Sequence, residues 1–365
     1  MAIKTNGFIF EIFGGVQAKK TAALYIYEGG NRIVEIPEKT MKYLRSYEVT
    51  SILESAFCSC KTMIRAFIPD SVTLMGEKVF KGCRSMTLIK LPSRIKYLPD
   101  ESFMGCSMLK QAVMPKSVER IGTDAFNGCV ALDHIDLADG ITSIGSCAFA
   151  GCKSLSSVRL PETAVDLGAD IFSDCFSLHD AFIPRSFTSI PDGMFNGCIK
   201  LKPPVISNKV EYIGREAFKN CRTFKSFSLP ENIRAVNEYV FAKCGGLQSV
   251  YIPQHVTEIK RGAFLECIGL TQINLPDKLK IIGSEAFCGC FNIKKIKIPD
   301  GVKSIGNDAF FSCTNLTDIY LPAETEFIGR GAFFGCHPSL AFHGRRGSFA
   351  ERYAAEKGFA FKEAI

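Results

Sequence analysis

Residues 129–149 read CVALDHIDLADGITSIGSCAF, and residues 290–310 read CFNIKKIKIPDGVKSIGNDAF. Both segments are copies of one unit that begins at a cysteine and ends at a phenylalanine. Cysteines recur every 23 residues from Cys60 to Cys336, thirteen in all, and a phenylalanine stands three residues before each of them. Because one such repeat cannot bury its own apolar face, a fixed short period predicts a solenoid of stacked coils.

The averaged unit reads C-x-x-L-x-x-I-x-L-P-x-x-V-x-x-I-G-x-x-A-F-x-G. Its L-x-x-I-x-L segment alternates near its end, as at Ile135 and Leu137, which predicts a strand with these side chains inward. A proline follows in most coils and ends the strand, because proline has no backbone N–H for the next ladder position. A second extended piece then leads to a turn, where we expect glycine to adopt a conformation that strains other residues. These glycines are Gly122, Gly145, Gly214, Gly283 and Gly306.

The strand half resembles the leucine-rich repeat pattern L-x-x-L-x-L. The whole unit resembles the BspA-like subclass of that family, with its cadence I-P…V-T-x-I-G-x-x-A-F-x-G-C, over roughly residues 49–340. It departs from the commoner repeat class in lacking a recurrent asparagine after the strand. The resemblance implies a β-rich solenoid, a right-handed coil with one parallel strand sheet, here with thirteen coils. Such proteins are typically bacterial or parasitic surface or interaction proteins, and some are adhesive.

The two ends of the chain break the period. Residues 1–48 are predicted to form an N-terminal β cap, with a hairpin around Gly29-Gly30. Residues 49–340 form the solenoid, and residues 341–365 are predicted to form a C-terminal cap with a short helix and an extended closing segment. Such covers are expected, because an open solenoid end exposes its core and its strand edges.

Composition limits the partners. A net charge of +7 over 365 residues is mild, and no arginine-rich run is present, so nucleic acid is not implied. The longest apolar stretches, such as residues 7–13, are too short to span a bilayer, and we expect no membrane insertion. The start lacks the pattern of a secretory leader, which predicts a cytoplasmic protein for the chain as written. Removal of a leader would instead place it at the cell surface or outside the cell.

The cysteine ladder is open to three interpretations. Against a metal site, the period puts one thiol per coil in a line, whereas zinc needs four ligands around one point. Against disulfides, parallel side chains in neighbouring coils keep their Cβ atoms about 4.8 Å apart rather than about 3.8 Å. We therefore expect reduced thiols that act as small buried hydrophobes. Cys58, Cys147 and Cys288 lie outside the ladder.

No motif predicts catalysis. The segment GGVQAKKT from Gly14 to Thr21 resembles a phosphate-binding loop, but Lys19 stands where its second glycine belongs, and a cap turn fits better. No nucleophile elbow or repeated carboxylate pair is present, and the histidines share no coil column. We expect no enzyme activity, no catalytic residue, no cofactor and no metal. The histidines are His134, His179, His255, His337 and His343.

The outward side of the predicted sheet offers a binding surface. Its best patch comprises Tyr251, Asn274, Lys297 and Tyr320, with Lys295 beside them. Exposed aromatic residues among polar groups are typical of binding hot spots. An ordinary solvated sheet face is the alternative. Further lysines make this end basic, which favours an acidic partner; they are Lys278, Lys280, Lys294 and Lys303.

These observations favour a non-catalytic binding protein that uses the exposed strand face for protein–protein interaction. The alternative is an adhesive or structural module of a cell envelope that binds glycan or host matrix. The first is the leading hypothesis, and an export signal in the uncut gene would favour the second.

One coil breaks the strand rule. Residues 201–207 read LKPPVIS, with Pro203 and Pro204 inside the strand. Each proline removes a donor that a neighbouring strand needs, so we expect an interruption of sheet pairing there. The interruption is either a flexible joint or a rigid, tolerated kink.

Overall fold

The structure is a computed structural model that describes residues 2–13 and 19–364. Its residues cluster into two compact units, Met1–Pro184 and Arg185–Ile365. Each unit consists of stacked coils with short parallel strands, as the repeat predicts. The described chain makes about 15 turns, because extended segments at both ends add to the thirteen cysteine-bearing coils.

The first unit begins with a small sheet. Its strands are β1 (Ala2–Thr5), β2 (Phe8–Phe13), β3 (Thr21–Tyr27), β4 (Ile33–Glu35), β5 (Lys39–Lys42) and β6 (Arg45–Ile52). Five of them form a sheet in the order β1-β2-β3-β6-β5, whereas β4 pairs with the first strand of the repeats, β7 (Arg65–Phe67).

The predicted hairpin around Gly29-Gly30 is wrong. In the structure β3 pairs in parallel with β6, and β4 pairs in parallel with β7, so these glycines carry the chain from one sheet to another. The tight hairpins lie instead at Asn6-Gly7 and at Tyr43-Leu44. The boundary at residue 48 is not sharp, because β4 pairs with a repeat strand and β6 crosses residue 48. The division into residues 1–48, 49–340 and 341–365 stays a proposal.

Each coil of the first unit has a front strand and a shorter back strand. The front strands after β7 are β9 (Leu88–Lys90), β11 (Gln111–Val113), β14 (Ser157–Arg159) and β16 (Asp180–Phe182). The back strands are β8 (Leu74–Met75), β10 (Tyr97–Leu98), β12 (Arg120–Ile121), β13 (Ser143–Ile144) and β15 (Asp166–Leu167). Partners are 23 residues apart, as with Ile89 and Ala112.

The second unit repeats this arrangement and ends in a helix. Its back strands are β17 (Ser189–Ile190), β18 (Tyr212–Ile213), β20 (Ala235–Val236), β22 (Glu258–Ile259), β24 (Ile281–Ile282), β26 (Ser304–Ile305) and β28 (Phe327–Ile328). Its front strands are β19 (Ser226–Ser228), β21 (Ser249–Tyr251), β23 (Gln272–Ile273), β25 (Lys295–Lys297), β27 (Asp318–Tyr320) and β29 (Ala341–Gly344). The helix α1 (Phe349–Lys357) then returns the chain to β30 (Ala360–Glu363), which pairs with β29.

The turn that joins back to front strands forms a buried column in each unit. Its phenylalanine rings are stacked, with neighbouring centroids 5.0–6.0 Å apart. Most ladder thiols donate to the phenylalanine carbonyl of the preceding coil, as Cys106 Sγ does to the Phe80 oxygen at 3.1 Å. The same carbonyl accepts the Cys83 N–H of its own coil. Cysteine is thus a small core residue that also bonds to the adjacent coil.

The turn glycines are needed for a reason other than the one expected. Gly145 does not have a positive φ; instead, a Cβ there would lie 2.5 Å from the Thr123 nitrogen of the neighbouring coil. The left-handed positions come a few residues later, at Asp124 and Gly128 in the coil of Phe126. Close approach of backbones, rather than turn strain, therefore favours glycine at Gly145.

In the described residues, the pairing of front strands is interrupted at three coils. Residues 203–205 form no strand in the described structure, in agreement with the two prolines. The other two interruptions were not predicted. Beyond β11 the described structure has a single bridge, from Gln111 to His134. In the described chain, no residue of β23 pairs with a residue of β25. In these two coils, the outward-facing position between the two inward strand residues is occupied by Asp136 and by Asn274. Asp and Asn are depleted in strands, because their side chains compete for backbone hydrogen bonds.

The burial of the thiols predicts their reactivity. Among the sixteen free cysteines, all within the described residues, Cys58 is exposed, four are partly exposed and eleven are buried. Burial raises the pKa of Cys175 and Cys244 to about 12, which disfavours the reactive thiolate. In alkylation followed by mass spectrometry without reductant, we expect one fast site, four slower sites and eleven that react only after denaturation. Retention of unreacted, disulfide-linked cysteines after denaturation would contradict this.

Candidate functional site

Three of the predicted site residues lie together on the last front sheet of the second unit. Lys295 and Lys297 are on β25, and both side chains are exposed. The register pairs Lys295 with Asp318 and Lys297 with Tyr320 on β27. The outward face of two adjacent strands therefore presents two cations and an aromatic ring.

The ring of Tyr320 is held in place by a neighbour that sequence reasoning did not assign to the site. His343 on β29 stacks on it, with centroids 4.3 Å apart and an angle of 20° between the rings. His343 Nε2 lies 2.8 Å from Asp318 Oδ1, and Lys295 Nζ lies 3.7 Å from Asp318 Oδ2. The 23-residue register carried a signal for this contact, since residues 320 and 343 occupy equivalent positions in consecutive coils.

Asp318 is the electrostatic centre of this group. The hydrogen bond from His343 lowers the pKa of its carboxyl group, with further contributions from the Thr317 hydroxyl and the charge of Lys295. Burial acts in the opposite direction but does not prevail. Asp318 therefore stays ionised and fixes the imidazole on which Tyr320 rests.

Asn274 stands where the front sheet opens. β23 ends at Ile273, and the exposed Asn274 follows it without a ladder partner on β25 in the described structure. The opening forms a cleft of about 740 Å³. Its walls include Gln272, Asn274, Lys294, Lys295, Lys297 and Tyr320.

Tyr251 does not line this cleft. It lies on β21, in the sheet of β19 and β23, and its side chain is half exposed. Its hydroxyl donates to Glu231 Oε1 at 2.9 Å. The structure thus brings four of the five predicted residues around one cleft and leaves Tyr251 on the neighbouring sheet.

The surrounding lysines are not equivalent. Lys303 forms an ion pair with Glu326 at 2.9 Å, which offsets its charge. Lys278, Lys280 and Lys294 are exposed. The positive field at the cleft therefore comes mainly from Lys294, Lys295 and Lys297, with Lys295 partly offset by Asp318.

The described residues offer no candidate for a metal site or a membrane-spanning helix. Within residues 2–13 and 19–364, no group of three or more His, Cys, Asp or Glu side chains could hold a metal ion. In the same range, no helix has the length and apolar character needed to cross a membrane. The phosphate-loop-like segment from Gly14 to Thr21 lies largely outside the described residues, which omit 14–18.

Comparisons with known proteins agree on the repeat. The family model described as "BspA type Leucine rich repeat region (6 copies)" matches residues 40–141, 119–247 and 234–343. A search of curated proteins finds no significant match.

Solved structures extend this result. A leucine-rich repeat protein from Bacteroides ovatus ATCC 8483 is 28% identical over 100% of both chains, with a TM-score of 0.82. A leucine rich cell surface protein from Faecalibacterium prausnitzii A2-165 is 26% identical over 97% of each chain, with a TM-score of 0.62. The pneumococcal vaccine antigen PcpA, 18% identical over 100% of this chain and 99% of its own, has a TM-score of 0.60 and shows the fold alone.

The lowered pKa of Asp318 predicts a pH-dependent effect of Asp318→Asn. A carboxyl group with a depressed folded-state pKa stabilises the protein above its ordinary pKa, and this contribution is lost as the pH falls through the folded-state value. The variant should therefore have a lower urea midpoint than the parent near neutral pH, and the difference should shrink below about pH 4. Asp300→Asn, at an exposed aspartate, serves as the control. A difference independent of pH would contradict this account.

The opening of the sheet predicts the effect of Asn274→Val. Valine suits a strand, so the variant should pair β23 with β25 and raise the free energy of unfolding by up to about 1 kcal/mol. Amides of residues 272–298 should exchange more slowly with solvent, as measured by hydrogen exchange. Ser228→Val, at the same position of an already paired strand, should leave exchange there nearly unchanged. Unaltered exchange in Asn274→Val would show that Asn274 does not cause the opening.

Proposed function

The chain belongs to the BspA-type leucine-rich repeat family, and we propose that it is a non-catalytic protein whose exposed front strands bind an acidic protein partner. The leucine-rich repeat fold is commonly used for protein interaction and is generally non-catalytic. The proposed binding residues are Tyr251, Asn274, Lys295, Lys297 and Tyr320.

The observation that carries the proposal is the cleft between β23 and β25. A continuous parallel sheet offers only a shallow, pleated surface, whereas the opening adds a concave site to the same face. Three lysines and one aromatic ring converge on it. This combination suits a peptide segment that presents carboxylates and an apolar side chain.

The ordering of Tyr320 supports a role in binding. Because His343 stacks on its ring, the side chain loses little rotamer freedom when a partner covers it. Aromatic residues that are ordered before binding are efficient anchors. The lysines contribute to the rate and selectivity of association by attracting a negative partner.

A second candidate function is adhesion at a cell envelope. It is favoured by the similar Faecalibacterium structure, which is described as a cell surface protein. The cleft also combines a tyrosine ring with the amides of Gln272 and Asn274, groups that can stack on a sugar and bond to its hydroxyls. An export leader in the full gene, together with binding to a glycan array, would favour this alternative.

The proposal predicts that charge reversal at the cleft weakens partner binding. The partner is first captured from a lysate of the native host and identified by mass spectrometry, and its affinity is then measured by calorimetry. Lys295→Glu with Lys297→Glu should lower the affinity at least about tenfold and reduce its salt dependence. Tyr320→Ala should cost about 2 kcal/mol of binding free energy.

Two control variants locate the site. Lys90→Glu reverses a charge at the equivalent strand position in the first unit and should leave binding unchanged. A loss in Tyr251→Ala equal to that in Tyr320→Ala would extend the site over the neighbouring sheet. Unchanged affinity in all the cleft variants would refute the cleft as the binding site.

A further inference from the structure

Among the described residues of the first unit, the tip of the β5–β6 hairpin is the most exposed apolar point. Lys42 pairs with Arg45, so Tyr43 and Leu44 form a two-residue loop. The side chain of Tyr43 is 86% exposed and that of Leu44 is 99% exposed. Met41, on the strand beside them, is also more than half exposed. Folding of the chain therefore leaves Tyr43 and Leu44 almost fully exposed.

Two features of the hairpin lower its own stability. Tyr43 has φ +52°, the left-handed region in which a residue with a Cβ is strained. Lys42 and Arg45 are like charges directly opposite each other, a pairing that destabilises a hairpin. Asparagine or glycine at the loop and a carboxylate in the pair would relieve both costs. Their absence indicates that the tip serves a purpose other than closing the hairpin.

The charges around the tip are positive. Among the described residues, neither Lys42 nor Arg45 has a carboxylate within ion-pair distance. Glu48 is the one acidic residue on β5 and β6, and it forms an ion pair with Lys19 at 2.8 Å. Lys42 Nζ lies 5.8 Å from the centre of the Tyr43 ring. The tip therefore presents two apolar side chains flanked by two cations.

We propose that this tip docks on the surface of an anionic phospholipid bilayer. Leu44 would enter the acyl boundary, Tyr43 would lie at the level of the headgroups, and Lys42 and Arg45 would contact lipid phosphates. Burial of a few apolar groups together with attraction to anionic lipid gives reversible interfacial binding. The contact is peripheral and involves no spanning segment.

The shape of the tip favours a bilayer over a protein pocket. Leu44 stands in a two-residue loop at the end of the hairpin and is almost fully exposed, so the tip alone offers a protein partner little area to cover. The ladder register also places the half-exposed Phe13 at the same end of the sheet, because Phe13 pairs with Thr21 and Thr21 pairs with Glu48. Apolar groups distributed along one end of a sheet can all contact a bilayer surface at the same time, because a bilayer is continuous and deformable.

The test is co-sedimentation of the full chain with phosphatidylcholine vesicles, with and without phosphatidylserine. The parent protein should bind the anionic vesicles, and binding should weaken as salt is raised. Tyr43→Ser with Leu44→Ser should lower the partition constant about tenfold or more. Lys42→Gln with Arg45→Gln should remove the preference for anionic vesicles. Leu74→Ser with Val205→Ser also removes two exposed apolar side chains, 68% and 87% exposed, and should bind like the parent.

A fluorescence measurement gives an independent readout. The chain contains no tryptophan, so Leu44→Trp introduces a single reporter. Its emission should shift to shorter wavelength with anionic vesicles, whereas that of Val205→Trp should not. Circular dichroism confirms that each variant is folded.

Three outcomes would overturn the proposal: no binding of the parent to anionic vesicles, unchanged binding by the tip variant, or an equal loss in the Leu74→Ser/Val205→Ser control. Absence of vesicle binding combined with weaker protein capture by the tip variant would identify the hairpin as a protein contact instead.

Discussion

The carbonyl group of most ladder phenylalanines accepts two hydrogen bonds, and this double acceptance sets the geometry of the coils. Phe264 illustrates it: its oxygen accepts the Cys267 N–H of its own coil and the Cys290 thiol of the next, both at 3.1 Å. The Phe264 N–H donates to the carbonyl of Ala286 in that next coil. A thiol is small enough for this corner and can still donate, which explains why cysteine recurs at every period without forming disulfides.

Because the turn column maintains the stacking, the front sheet can be interrupted. The back strands β22, β24 and β26 remain paired where β23 and β25 do not. The rings of Phe264, Phe287 and Phe310 also stay stacked through this region. The cleft therefore opens on one side of a coil whose other side is intact. An opening of the front sheet is thus compatible with an intact fold.

The repeat made the main features predictable from sequence. A strict period identified the buried phenylalanine and cysteine columns, and the two prolines predicted the missing strand at residues 203–205. The Gly29-Gly30 hairpin was mispredicted because local turn chemistry does not reveal which distant strands will pair. The role of Gly145 was misjudged for a related reason, since the close backbone of Thr123 belongs to another coil.

The candidate site was predictable only in part. Outward alternation correctly placed Lys295, Lys297 and Tyr320 on one face. The cleft was not predicted because a single asparagine or aspartate interrupts a strand less reliably than proline does, although Asn274 and Asp136 are also poor strand formers. The support of Tyr320 by His343 was missed because the predicted outward column ended at Tyr320, although the 23-residue register continues to His343.

Residue-resolved hydrogen exchange tests the central claim most directly. If the turn column determines the stacking, the ladder amides, such as those of Phe126 and Phe264, should be the last to exchange within their units. Front-strand amides such as those of Ala112 and Val250 should exchange earlier. Front-strand amides that are protected as long as the ladder amides, or longer, would contradict the account, because the sheet would then be the element that holds the coils together.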